Sequence, residues 1–186
     1  MLRSSMIRSG SLLFALLLAA PALAQDEDES FSREGPYLGF DALLAIENSA
    51  DSLDVSETGG LAGRIGFRLT PEFALELEGE WAHLDGRNPW SLSIVSKLYP
   101  TPWFLDGQAG FFDDRLQPYF VSSAGIIVGE LGRGQEPASS FRIGSGADFW
   151  LNSDLALTGQ FVYVANAGDA TDYDSVNLRL GVTWRY

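Results

Sequence analysis

Residues 175–186 alternate without a break. Val176, Leu178, Leu180, Val182, Trp184 and Tyr186 share one parity, and Asn177, Arg179, Gly181, Thr183 and Arg185 the other. Side chains fall on opposite faces at successive positions only in an extended strand, so this segment is a two-faced strand. The pattern returns along the chain. Leu61, Gly63, Ile65, Phe67 and Leu69 oppose Ala62, Arg64, Gly66, Arg68 and Thr70; Phe73, Leu75, Leu77, Gly79 and Trp81 oppose Ala74, Glu76, Glu78 and Glu80. Phe141, Ile143, Ala147, Phe149 and Leu151 oppose Arg142, Gly144, Gly146 and Asp148, while Leu155, Leu157, Phe161 and Tyr163 oppose Thr158 and Gln160. Residues 37–47 set Leu38, Phe40, Ala42, Leu44 and Ile46 against Gly39 and Asp41, and residues 91–99 set Leu92, Ile94 and Leu98 against Ser93 and Lys97. Residues 118–129 are apolar or small on both faces, and parity leaves their facing open. The total is eight strands and no helix.

The connections alternate in length. Thr70-Pro71-Glu72 and Asn152-Ser153-Asp154 are tight turns of strong turn formers. Longer polar segments lie at 48–60, 85–90, 130–140 and 165–174. Short turns at one end and long loops at the other describe an up-and-down meander, whose edges are buried by closing it into a barrel. Ahead of the strands, Arg3 and Arg8 precede an apolar run from Leu12 to Ala20 and a small-x-small Ala22-Leu23-Ala24. Residues 1–24 therefore read as a secretory signal peptide, residues 25–34 as an acidic tail and residues 35–186 as the barrel. Loss of the leader takes away Arg3 and Arg8 and deepens the net charge from −13 to −15. So acidic a chain is no match for nucleic acid, and with no cysteine it has neither a disulfide framework nor a thiol nucleophile.

Alternation alone fits two barrels: a secreted lipocalin-like carrier with its apolar face inward, and a membrane barrel with that face outward. Three features select the second. The polar faces carry glycine beside charge (Gly39, Gly66, Gly144, Gly146, Gly181), as a crowded eight-strand interior requires and a solvated exterior does not. Opposite charges fall on neighbouring strands: if residues 70–72 turn, Arg64 lies across from Glu78 and Arg68 diagonal to Glu76. Aromatic residues gather near strand ends, as membrane-interface girdles do: Trp81, Trp150, Tyr163, Trp184 and Tyr186. The expected fold is an all-β, eight-stranded antiparallel up-and-down transmembrane β-barrel, each strand long enough to cross tilted.

With LQPYFVSSAGIIVG at 116–129, FRIGSGADFWLNSDLALTGQFVYV at 141–164 and the closing SVNLRLGVTWRY at 175–186, the chain resembles the small bacterial outer-membrane β-barrel family of OmpA/OmpX-type transmembrane domains. The resemblance implies export to the periplasm and a place in the outer membrane of a Gram-negative cell. It also implies partners in outer-membrane lipid, lipopolysaccharide and the barrel-assembly machinery, which reads a terminal aromatic residue preceded by alternate apolar ones. Leu180, Val182, Trp184 and Tyr186 match that signal. The connection at 100–117 is long for a periplasmic turn. A small extension there would rest Trp103, Phe104, Phe111 and Phe112 at the interface or against the barrel mouth.

The chemistry-bearing residues are the inward charges Arg64, Arg68, Glu76, Glu78, Glu80, Lys97, Arg142, Asp148, Arg179 and Arg185. They line either a conduction path, as in a narrow porin or small-solute channel, or a salt-bridge network that fills the lumen. Eight strands leave room for little beyond side chains, which favours the filled interior and a structural or surface-interaction role. Three acids at 76, 78 and 80 on one face call for more than one cation, drawn from Arg142, Arg179 and Arg185. An outer-membrane lipid hydrolase would need a nucleophile and base. His83 is the single histidine, and the His and Ser two apart of lipid A deacylases is not matched, since position 85 is Asp. Acids in the outer loops (Glu47, Asp51, Asp54, Glu57; Asp169, Asp172, Asp174) lack the Gly and closing Glu of a dedicated calcium loop. No catalytic, cofactor or metal site is expected.

Overall fold

The computed structural model describes residues 31–47, 56–83, 88–100, 115–128, 137–167 and 174–186. Eight antiparallel strands run in chain order: β1 Gly35–Glu47, β2 Ser56–Thr70, β3 Phe73–His83, β4 Trp90–Leu98, β5 Leu116–Val128, β6 Ala138–Trp150, β7 Leu155–Ala167 and β8 Ser175–Arg185. Each pairs with its sequence neighbours, and β1 pairs with β8, so the sheet closes as a barrel. Closure satisfies the backbone of every strand without an exposed edge, the condition for crossing hydrocarbon. Among the described residues no helix is long and apolar enough to cross a membrane.

The pairing register sets the shape. From Glu76, partners in one direction are Gly66, Tyr37 and Arg185, ending opposite Asp154. In the other direction they are Val95, Ser123 and Arg142, ending at Val164. The two routes meet the same stretch of chain ten positions apart (164 − 154). Such a stagger tilts the strands by about 40° to the axis.

The hydrophobic surface faces outward. Phe40, Ile94 and Ile143 are 65%, 66% and 67% exposed, whereas Arg64 and Lys97 are 2% and 1% exposed. Apolar positions of one parity coat all eight strands, and polar positions of the other fill the inside, the arrangement that suits lipid as solvent. Trp81 and Trp90 pair across β3 and β4 on the outer surface at the loop end, and Trp184 is exposed at the opposite end. Trp150 corrects the girdle expected from the sequence. It has the parity of Arg142 and Asp148, points into the lumen and is 2% exposed. The facing of β5 is also resolved: Tyr119 and Val121 turn inward and Phe120 outward. Tyr119 is drawn in by the ring of Tyr99, 5.3 Å away, and the Lys97 ammonium, 4.5 Å from its centroid.

Both tight turns form as expected. The Asn152 side-chain oxygen accepts from the backbone N–H groups of Asp154 and Leu155 at 2.9 and 2.8 Å, an Asx-type closure of β6 onto β7. At the other, β2 and β3 hold the register that places Arg64 across from Glu78, with a single shift between Arg68 and Thr70. The leader, residues 25–30, the aromatic residues expected at 103–112 and the loop acids other than Asp174 lie outside the described residues or have side chains that do.

Candidate functional site

Inward positions on several strands converge into one ionic cluster. Glu78 on β3 is its centre: Oε1 accepts from Arg142 of β6 at 2.6 Å and Oε2 from Arg179 of β8 at 2.7 Å. Glu80, one step along the same face, takes Arg142 at 3.1 Å and pairs with Arg179. Neither β6 nor β8 touches β3 in the sheet, so these bonds run through the lumen rather than along its wall. Arg142 also donates to Ser91 Oγ at 2.9 Å.

A second group lies nearer the terminal mouth, the end of the barrel where β1 begins and β8 ends. Glu76 receives Lys97 at 2.8 Å, the Tyr37 hydroxyl at 2.8 Å and Arg64 Nε at 3.5 Å. Arg64 pairs with Asp41 of β1 and donates to Thr183 at 2.7 Å and Thr158 at 3.3 Å. Glycine makes the room: a side chain at Gly39 would collide with the Arg64 guanidinium, and one at Gly66 with the Tyr37 ring. Asp148 accepts from Tyr99 at 2.9 Å and from Thr158 at 2.7 Å.

The residues expected at the site all point inward, but their partners differ from those that register suggests. Arg64 is opposite Glu78 along the wall yet binds Asp41 and Glu76. Arg68 donates to Gln117 at 2.6 Å and to the Pro71 carbonyl, with its guanidinium 4.0 Å from the Tyr99 ring centroid. Arg185 joins none of the three acids on β3; it lies 3.9 Å over Trp150 and donates to the Phe31 carbonyl at 2.9 Å. The expectation that β3 needs several cations holds, with Arg142, Arg179, Lys97 and Arg64 supplying them. Sequence reading missed Asp41 as an ionic partner, together with Tyr37, Tyr99, Thr158 and Thr183. Parity marks Asp41 as inward beside Gly39, but which cation it meets depends on the closed geometry. His83 is exposed at the outer end of β3, with Nδ1 2.9 Å from Asn88 Oδ1.

A closed barrel with an apolar coat and an ionic interior is a transmembrane β-barrel. The chain belongs to the outer membrane protein beta-barrel domain family, whose family model matches residues 10–186. It is accordingly an outer-membrane protein of the Gram-negative type. No curated protein matches it by sequence. Among solved structures it is similar to the Neisserial surface protein A, at 13% identity and TM-score 0.64, covering 82% of this chain and 97% of that one. The N-terminal β-barrel domain of Pseudomonas aeruginosa OprF is similar at 14% identity and TM-score 0.56, covering 83% and 100%. Ail, the attachment invasion locus protein of Yersinia pestis, is similar at 10% identity and TM-score 0.53, covering 83% and 100%. At these identities the likeness is one of fold.

Proposed function

We propose that this protein is a non-conducting, non-enzymatic outer-membrane barrel that serves as a rigid mount for its outer loops, with a structural or surface-interaction role. The observation that carries this reading is the bridge at Glu78, which ties β3 to β6 and β8 across the lumen. A conducting pore needs a continuous aqueous path. Here, buried ion pairs occupy the cross-section, and breaking one strands a charge at considerable cost. The names of two structural neighbours, a surface protein and an attachment invasion locus protein, support a role at the cell surface. The lipid-facing coat makes outer-membrane lipid and lipopolysaccharide its immediate partners, and Leu180, Val182, Trp184 and Tyr186 serve as the signal for the assembly machinery.

Planar-bilayer recording tests the closed lumen. The folded protein is expected to give no steady conductance, and Glu78→Ala combined with Arg142→Ala is expected to introduce one. A steady conductance from the unaltered protein would instead make it a channel.

A further inference from the structure

Among the described residues, each lumen acid has a partner. Asp41 holds Arg64; Glu76 holds Lys97 and Arg64; Glu78 and Glu80 share Arg142 and Arg179; Asp148 is held by two hydroxyls. Two inward guanidiniums at the terminal mouth have no carboxylate within ion-pair distance among the described residues: Arg68 and Arg185. They are 2% and 3% exposed. Their partners are neutral: an amide oxygen, two backbone carbonyls and the faces of Tyr99 and Trp150. Nη1 of Arg185 is buried with no hydrogen-bond partner, as is Nε of Arg68.

The roof over them is the segment that leads into β1. Phe31 gives its carbonyl to Arg185, and Ser32 Oγ accepts from Gln117 Nε2 at 3.1 Å, the same side chain that binds Arg68. Gln117 is on β5, four strands from β1 in either direction, so the segment crosses the mouth. Arg33 then meets Asp154 in the β6–β7 turn at 3.6 Å. Gly35, at φ 137°, allows the chain to bend from the strap into the strand.

Buried cations are normally paired, and a guanidinium fork meets a carboxylate or phosphate through two parallel N–H···O bonds. We propose that the terminal mouth is a binding site for an oxyanion, a phosphate or carboxylate group. Arg185 and Arg68 supply its planar donors, and residues 31–33 are its removable roof. The incoming oxygen takes the vacant Nη1 of Arg185 and displaces the Phe31 carbonyl from Nη2. The ligand group comes either from a free anion in solution or from a phospholipid headgroup.

Thermal unfolding of the full folded protein in octyl glucoside, which contains no phosphate, tests this. Inorganic phosphate at a hundredfold excess over Kd is expected to raise the midpoint by about 5–10 °C above sodium chloride of equal ionic strength. Arg185→Lys, which keeps the charge but not the fork, is expected to weaken the response at least tenfold in phosphate concentration; Arg68→Gln is expected to do the same. A response to short-chain phosphatidylglycerol but not to inorganic phosphate supports the site with a lipid as its source, and a response to phosphate alone supports a free anion. Equal midpoints in phosphate, phosphatidylglycerol and chloride would overturn the proposal, as would an undiminished phosphate response in both variants.

Discussion

Glu78 and Arg179 are 2.7 Å apart although their strands, β3 and β8, are not neighbours in the sheet. The bond exists because the barrel is narrow enough for side chains from separate walls to meet at its centre. Both residues are buried, and the same carboxylate binds Arg142, so its removal leaves two buried guanidiniums sharing the single carboxylate of Glu80. Glu78→Gln is expected to destabilise the folded barrel by about 3–5 kcal/mol. Glu80→Gln, at a more open position on the same face, is expected to cost less. Urea unfolding in lipid vesicles, followed by heat-modifiable gel migration, measures both.

Arg64 is packed directly over Gly39, with no space for a further carbon. Gly39→Ala is expected to displace the guanidinium from Asp41 and lower stability by about 1–3 kcal/mol, the usual range for overpacking. Gly59→Ala, where nothing lies within 4 Å, is the control and is expected to stay near the unaltered value. The same unfolding assay compares them.

Trp150 and Trp81 face opposite environments. In single-tryptophan variants, brominated lipid is expected to quench Trp81 strongly, since it is 46% exposed on the lipid face. Trp150, enclosed under the Arg185 guanidinium, is expected to be quenched little.

The proposed assembly signal separates folding in cells from folding in the test tube. Tyr186→Ser is expected to reduce the yield of folded barrel in outer membranes several-fold. Refolding of the purified variant into detergent is expected to proceed at the unaltered rate. A parallel loss in both settings would assign Tyr186 to stability instead.

The strands and their facing were legible wherever large apolar residues alternate with charge, as along β3 and β8. Register was legible across one tight turn, and it correctly set Arg64 opposite Glu78. Partners across the lumen were not legible, because the stagger that brings Arg142 and Arg179 to Glu78 accumulates over the whole closed sheet. β5 was ambiguous since Val121, Ser123 and Gly125 resemble the outward Ser122 and Ala124 in size; Tyr99 and Tyr119 settle it by contact. Trp150 was misplaced because its chemistry suits an interface, although its parity with Asp148 marks it as inward. At the terminal mouth, Arg185 was expected among acids and instead lies on an aromatic ring. Nothing local in the sequence distinguishes an arginine that pairs with carboxylate from one that stacks.

The chain has no cysteine, so single-thiol variants on β4 test facing and closure together. Leu92→Cys and Ile94→Cys sit on the lipid face, while Val95→Cys lies inside, opposite Glu76, and replaces no charged group. In vesicles, the first two are expected to react with a lipid-soluble maleimide and not with a charged, water-soluble one. Val95→Cys is expected to react with neither until the barrel is unfolded. Rapid labelling of Val95→Cys by the water-soluble reagent in the folded protein would contradict a closed lumen, and labelling of Leu92→Cys by it would contradict the outward-facing apolar coat.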